Sequence, residues 1–363
     1  MSTESSFRQQ ASVFSDSFSG VVRTINEAAH KANQGHSEGD IVHAALIRGM
    51  EDIDSMRRAK SFRLKSVLDA IFENQPVYTP AAPYRDYKRM AYILARYIDE
   101  GKDGTQDLEY HNPGHFGKVD LSIYALAVVS GIKDPERIAL LVLLGTVHDF
   151  GHNGKTNNGI LVDIEHRSLT RAVDIISKAM NITDEAQLDS LRAALSPIYA
   201  TDVNKYPYGE EGKEISPADV MKAAYLHHCT YTVPAVVIPK AFEQQLGKLT
   251  KDPEKVEDTA LLQKVQNTVF LLGADMLPSL LNLHRFEIES KNVAAESGRP
   301  RNAAGSIHFL RNIVGGHTLT LAESVILGAN AVSDMITELE KSARRPTWHW
   351  PGEDRIFNHK YRY

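Results

Sequence analysis

His111-Asn112-Pro113-Gly114-His115 opens a segment that Val147-His148-Asp149-Phe150-Gly151-His152 closes, with Gly154, Asn157 and Asn158 just beyond. Between them runs the apolar segment Ile138 to Leu144. Lys133-Asp134-Pro135-Glu136 reads as a helix start, with Asp134 as N-cap and Pro135 at the first helical position. The spacing therefore predicts a helix that ends by delivering His148 and Asp149. Apolar residues crowd all sides of its middle, which predicts deep burial.

His111 and His115 are four apart, as are His148 and His152, so each pair would share a face on a helical turn. Neighbours on a helix differ by about 100° in direction, so His148 and Asp149 reach one centre only from different sides. That suits an Asp149 that bridges two metals while His148 binds one. Imidazole and carboxylate donors fit Zn²⁺, Mn²⁺, Fe²⁺ or Mg²⁺, and a two-metal centre is a common answer to phosphoester hydrolysis. A single histidine pair would read as structural. Two pairs and an abutting His-Asp at the end of a buried helix are more than 15 histidines in 363 residues supply by chance.

Outward from this stretch the chain reads as all-α. Phe14, Phe18, Val21, Val22 and Ile25 recur at helical spacing. Asp40 to Met50, Ser61 to Glu73, Tyr87 to Ile98, Asp120 to Val129, Arg167 to Met180 and, capped by Thr183, Asp184 to Leu195 follow suit. A helix opening at Ser216-Pro217 carries His227, His228 and Cys229, and a long one runs from about Glu257 to Met276, stopping near Pro278. Residues 306 to 314 and 318 to 341 are again helical. No sustained alternation or hairpin signal predicts a strand. Pro76, Pro80 and Pro83 mark the best boundary. The expected organisation is a helical region over 1–84, which either joins the same domain or regulates it, a catalytic domain over 85–345, and a tail over 346–363.

The net charge of -5 argues against a nucleic-acid partner. A lone cysteine, Cys229, fits a reducing compartment. Met1 to Gln10 lack the apolar core of a secretory signal, and no apolar run is long enough to span a bilayer. The expectation is a cytoplasmic protein without a membrane partner; a homo-oligomer stays open.

Three blocks in order then resemble one family. Tyr110-His111-Asn112-x-x-His115 and His148-Asp149-x-x-His152-x-Gly154-x-x-Asn157 are similar to the two histidine signatures of class I 3',5'-cyclic nucleotide phosphodiesterase catalytic domains, of the HD-type phosphohydrolase superfamily. Ala200-Thr201-Asp202-Val203-x-Lys205 resembles a third block. The resemblance covers about residues 85 to 345 and implies a compact all-helical fold with two divalent metals, typically Zn²⁺ with Mg²⁺ or Mn²⁺; iron stays open. The implied substrate is a small phosphorylated molecule, a cyclic nucleotide cleaved at its 3'-ester.

Residue by residue, the resemblance implies that His111 protonates the leaving oxygen. His115, His148 and Asp149 would ligate metal, and His152 would stand beside them or contact phosphate, so it is counted with His111 as catalytic. Asp202, Asn112 and Asn157 would support the ligands. Two places compete for the fourth ligand: Thr230, after His227-His228-Cys229, and Asp275, in Gly273-Ala274-Asp275-Met276-Leu277-Pro278. Threonine is a poor replacement for a carboxylate, which favours Asp275. The family's glutamate falls near Lys178 without gaps; with a shorter loop, Glu165 takes its place. Ser306 stands where the family holds the purine with glutamine, followed by Phe309. Gln244 and Gln245 lie far back in the chain. These departures keep open a hydrolase of another phosphoester, and more remotely a di-iron oxygenase or a non-catalytic binding protein.

Overall fold

The computed structural model describes residues 18–31, 37–157, 159–207, 214–230, 259–298 and 301–343. Among them are fourteen α-helices and no strand, so the protein is all-α. Helix α1 covers 18–31, followed by α2 (Ser37–Arg58), α3 (Leu64–Glu73), α4 (Tyr87–Asp99) and α5 (Pro113–Val129). Then come α6 (Pro135–Val147), α7 (Asp163–Met180), α8 (Glu185–Leu195), α9 (Pro217–Thr230) and α10 (Thr259–Leu280). The described residues end with α11 (Leu283–Ser297), α12 (Ala303–His308), α13 (Leu321–Leu327) and α14 (Ala331–Ala343). None of these helices is long and apolar enough to cross a membrane.

Helix α5 is the axis of the core. All of its residues but Val128 are buried, and α2, α3, α6 and α10 pack around it. Asn112 starts it by accepting from Gly114 N, with Pro113 at the first position. Helix α6 lies beside it. Asp134 caps α6 through Glu136 N, and Ile138, Leu141, Val142, Leu143, Leu144 and Val147 are all buried. Each such side chain stabilises the fold by roughly 1.5–3 kcal/mol relative to exposure. The two helices meet closely at Gly145, where an added Cβ would collide with Asp120 Oδ1.

Buried charge also fixes this core. Lys118 of α5 meets Asp54 of α2 at 2.7 Å and Glu289 of α11 at 2.7 Å, while Arg285 meets the same two acids at 2.5 Å each. Two cations and two anions thus satisfy one another out of water, which is the condition under which buried charge is tolerated. Residues of α1, α2 and α3 belong to the same hydrophobic cluster as those of α4 to α10. A smaller cluster joins Leu280 and Phe286 to Leu310 and to Val332, Met335, Ile336 and Leu339 of α14.

Several expected boundaries shift. Helix α2 is longer than Asp40 to Met50, and the Asp120 segment begins at Pro113, because Asn112 and Pro113 form a cap that apolar spacing alone does not reveal. Asp184, not Thr183, caps α8, accepting from Ala186 N. Helix α10 continues through Pro278 to Leu280. Residues 309–314 form a turn of π-helix, and Gly328 breaks the expected 318–341 helix into α13 and α14. Asn158, Gln244, Gln245 and residues 346–363 lie outside the described residues, as do the side chains of His227, His228, Cys229 and Thr230.

Candidate metal centre

Four side chains from three elements converge at one point. His115 sits in the first turn of α5, His148 caps the end of α6 with Asp149 next, and Asp275 lies near the end of α10. His115 Nε2 faces His148 Nε2 at 3.1 Å. Asp149 Oδ2 is 3.3 Å from His115 Nε2 and 2.9 Å from His148 Nε2. Asp275 Oδ1 is 3.3 Å and 3.7 Å from the same two nitrogens. The histidine side chains are 2% and 1% exposed and both carboxylates 14%, so the centre opens on its carboxylate side.

Electrostatics fit a cation there. Burial works against charge on His115, yet hydrogen bonds and charge from Asp149 and Asp275 outweigh it and push the imidazole up to about 9. Burial likewise opposes charge on His148, and Asp149 again wins. Burial would raise Asp149, but the surrounding histidines hold it well below the usual carboxylate range. His148 Nδ1 donates to Gly145 O at 2.6 Å, which fixes the tautomer and turns the Nε2 lone pair inward. Two imidazole nitrogens that face each other between two carboxylates form a donor set that a divalent cation satisfies.

His111 lies off the helix, one residue before the Asn112 cap, so its spacing of four from His115 spans a turn rather than one helical face. Its Nε2 is 3.8 Å from Asp149 Oδ2. Its Nδ1 donates to Glu296 Oε1, while Tyr110 N and His111 N donate to Glu296 Oε2 at 2.8 and 3.1 Å. Glu296 is in the last turn of α11, where the helix dipole disfavours an anion. Burial also opposes its charge, but His111 and the two backbone donors hold it at about 2. His152 stacks on His111 with ring centroids 3.8 Å apart. Burial lowers its pKa to about 4, and Gly154 N donates to its Nδ1 at 3.0 Å. His152 is therefore neutral near pH 7, with its proton on Nε2. His111, His152 and Glu296 also lie close enough to hold a cation. Glu296 already accepts three hydrogen bonds, so this group is complete as a hydrogen-bonded assembly.

The remaining residues singled out by sequence fall into three places. Asn112 Nδ2 donates to Glu109 O and Tyr110 O, so it shapes the turn that carries His111. Asn157 donates to Glu165 at 3.0 Å and accepts from Ile164 N at 2.7 Å. Burial, then the Asp202 carboxylate, raises Glu165 to about 8. Asp202 accepts from Val162 N and from Tyr206 Oη. Ser306 is buried in α12, and Phe309 packs on Phe286 with centroids 6.2 Å apart. Lys178 pairs with Asp174 on the outer face of α7. The spacing gave no hint of Glu296, nor of Asp120, a buried acid on α5 that accepts from Thr146 at 3.1 Å behind the histidines.

No family model matches the chain, and no curated protein does. Solved structures resemble it. LmjPDEB1 in complex with IBMX is similar over 82% of this chain and 90% of its own, with 13% identity and a TM-score of 0.49. The phosphodiesterase domain of the Salpingoeca rosetta rhodopsin phosphodiesterase is similar over 83% of this chain and 94% of its own, with 14% identity and a TM-score of 0.45. The phosphodiesterase domain of the RhoPDE fusion protein from the same choanoflagellate is similar over 77% and 90%, with 15% identity and a TM-score of 0.45. At such identities the functional reading rests on the site's own chemistry.

Proposed function

We propose that the protein is a metal-dependent phosphodiesterase that opens the 3'-ester of a 3',5'-cyclic nucleotide to give the 5'-monophosphate. The observation that carries this is the meeting of His115, His148 and Asp275, with Asp149 against both histidines, beside a histidine, His111, anchored by Glu296. The resemblance of the two histidine signatures supplies the bond that is cut.

In this reading His115, His148, Asp149 and Asp275 would hold one divalent cation. Asp149 would also serve a second cation, as the resemblance of the histidine signatures implies. Zn²⁺ with Mg²⁺ or Mn²⁺ suits the donors, and Fe²⁺ is compatible with them. Bound there, such ions would activate water and neutralise phosphate oxygens. His111 gives a proton from Nε2 to the leaving 3'-oxygen, its ring held through Nδ1 by Glu296. His152 donates its Nε2–H to a phosphate oxygen. Asn157 keeps Glu165 in place, and Asp202 holds the turn at Val162.

A second reading, hydrolysis of another phosphoester, is favoured by one observation: Phe309 packs on Phe286 inside the smaller cluster, and Ser306 offers only a hydroxyl. The deciding experiment is 5'-nucleotide release from cyclic AMP and cyclic GMP by protein of known metal content, with Asp149→Asn beside it. Turnover that vanishes in the variant supports the first reading. Bound metal without turnover moves the search to other phosphoesters, and neither metal nor turnover removes both.

A further inference from the structure

His111 ends the segment between α4 and α5, and His152 lies in the segment between α6 and α7. The two rings stack all the same. Segments outside helices have no ladder of hydrogen bonds of their own, so side chains must hold the two in register.

One side chain touches both. Arg171, exposed on α7, donates from Nη2 to Lys102 O at 2.6 Å and from Nη1 to Asp103 O at 2.7 Å. The same guanidinium lies over the Phe150 ring, 5.6 Å from its centroid, within reach of a cation–π contact. Its Nη1 also lies against Gly151, where an added Cβ would come within 2.6 Å of it. Gly151 has a φ of +77°, in the left-handed region that favours glycine, so the turn after Asp149 presents bare backbone to the guanidinium. The first segment is fixed again at its far end. Arg57 of α2 donates to Leu108 O at 3.0 Å and to Glu109 O at 3.3 Å, and Glu296 accepts from Tyr110 N and His111 N. Arg57 and Glu296 thus hold the end of the segment and Arg171 its beginning, and Arg171 carries the contact over to the turn before His152. Lysine would reproduce its charge but not the planar fork that serves two carbonyls while stacking on a ring.

Resting on the phosphodiesterase reading above, we propose that Arg171 is a positioning residue: it locks the segment that carries His111 to the turn that carries His152, so that the stacked pair stands at a fixed place beside the metal ligands. His115, His148 and Asp275 are placed by helices α5, α6 and α10, so metal stays bound when the clamp is lost.

The test uses the full chain as wild type, Arg171→Met and Arg171→Lys. The first readout is amide hydrogen exchange by mass spectrometry, which needs no turnover. Both segments carry hydrogen-bonded amides, Leu108 and His111 in one and Phe150 and His152 in the other. Arg171→Met should speed exchange in 102–112 and in 150–154 together, while α14, in the smaller cluster, exchanges as in the wild type. Acceleration in one segment only, in neither, or in α14 as well overturns the inference. The second readout is kcat and KM for cyclic nucleotides and for bis(p-nitrophenyl) phosphate, with metal content measured alongside. Both variants should lose about tenfold or more in kcat, the kind of loss that a misplacement of about 1 Å brings. KM should stay within about twofold, with metal content unchanged. Wild-type kcat in either variant, a change confined to KM, or a loss that follows lost metal overturns the inference. If the wild type cleaves none of these esters, the phosphodiesterase reading fails, and the exchange result decides the clamp by itself.

Discussion

Against the pull of burial, the Asp149 and Asp275 carboxylates push His115 from an ordinary 6.5 up to about 9 when no metal is bound. A histidine raised in this way contributes stability in full below about 6.5, and that contribution is lost as pH rises through 9. Glu165, raised to about 8 by burial and Asp202, acts in the same direction at lower pH: its contribution is lost from about 4.5 up through 8, so only its last part falls above pH 7. Urea unfolding of metal-free protein should therefore show stability falling between pH 7 and 9.5, and a flat or rising profile would count against the cluster as described. Added divalent metal should remove much of that fall by taking the place of the His115 proton. Glu296→Gln removes the charge that anchors His111, so turnover should drop by on the order of 10² with metal content unchanged; a variant with wild-type kcat would deny Glu296 its part. His115, His148 and Asp149 stand out in the sequence because spacing by four and an abutting acid are local signals. Glu296 does not, because it lies 185 residues from His111 on a helix without a motif.

At the scale of elements, the precision of the site depends on how α5 and α6 begin and meet. Asn112→Ala removes the cap of α5 and two hydrogen bonds that shape the His111 turn. It should cost about 1 kcal/mol of stability and lower turnover as well. Gly145→Ala should cost about 1–3 kcal/mol by overpacking against Asp120, read from a shift in the denaturant midpoint; a neutral substitution would mean that the helices are less close than described. Helix α6 was legible because cap, proline and apolar run agree. The ends of α5, α8 and α10 were less so. A cap is a matter of one side chain's geometry, and Pro278 inside α10 is tolerated by packing that no local rule reports.

For the whole molecule, the all-α class followed from helical periodicity throughout the chain, whereas the buried ion network did not. Asp54, Lys118, Arg285 and Glu289 come from three helices far apart in sequence, and each alone reads as a surface charge. Arg285→Met leaves two acids facing one lysine out of water and should cost about 3–5 kcal/mol, measured by urea unfolding. A loss below about 1 kcal/mol would place the network in contact with solvent. If His115, His148, Asp149 and Asp275 form one metal site, elemental analysis of wild type and Asp275→Asn, purified and reconstituted alike, will show it in the metal content. The wild type should retain divalent metal, and the variant should lose at least one equivalent while keeping its helical circular dichroism. A variant that binds as much metal as the wild type would contradict it.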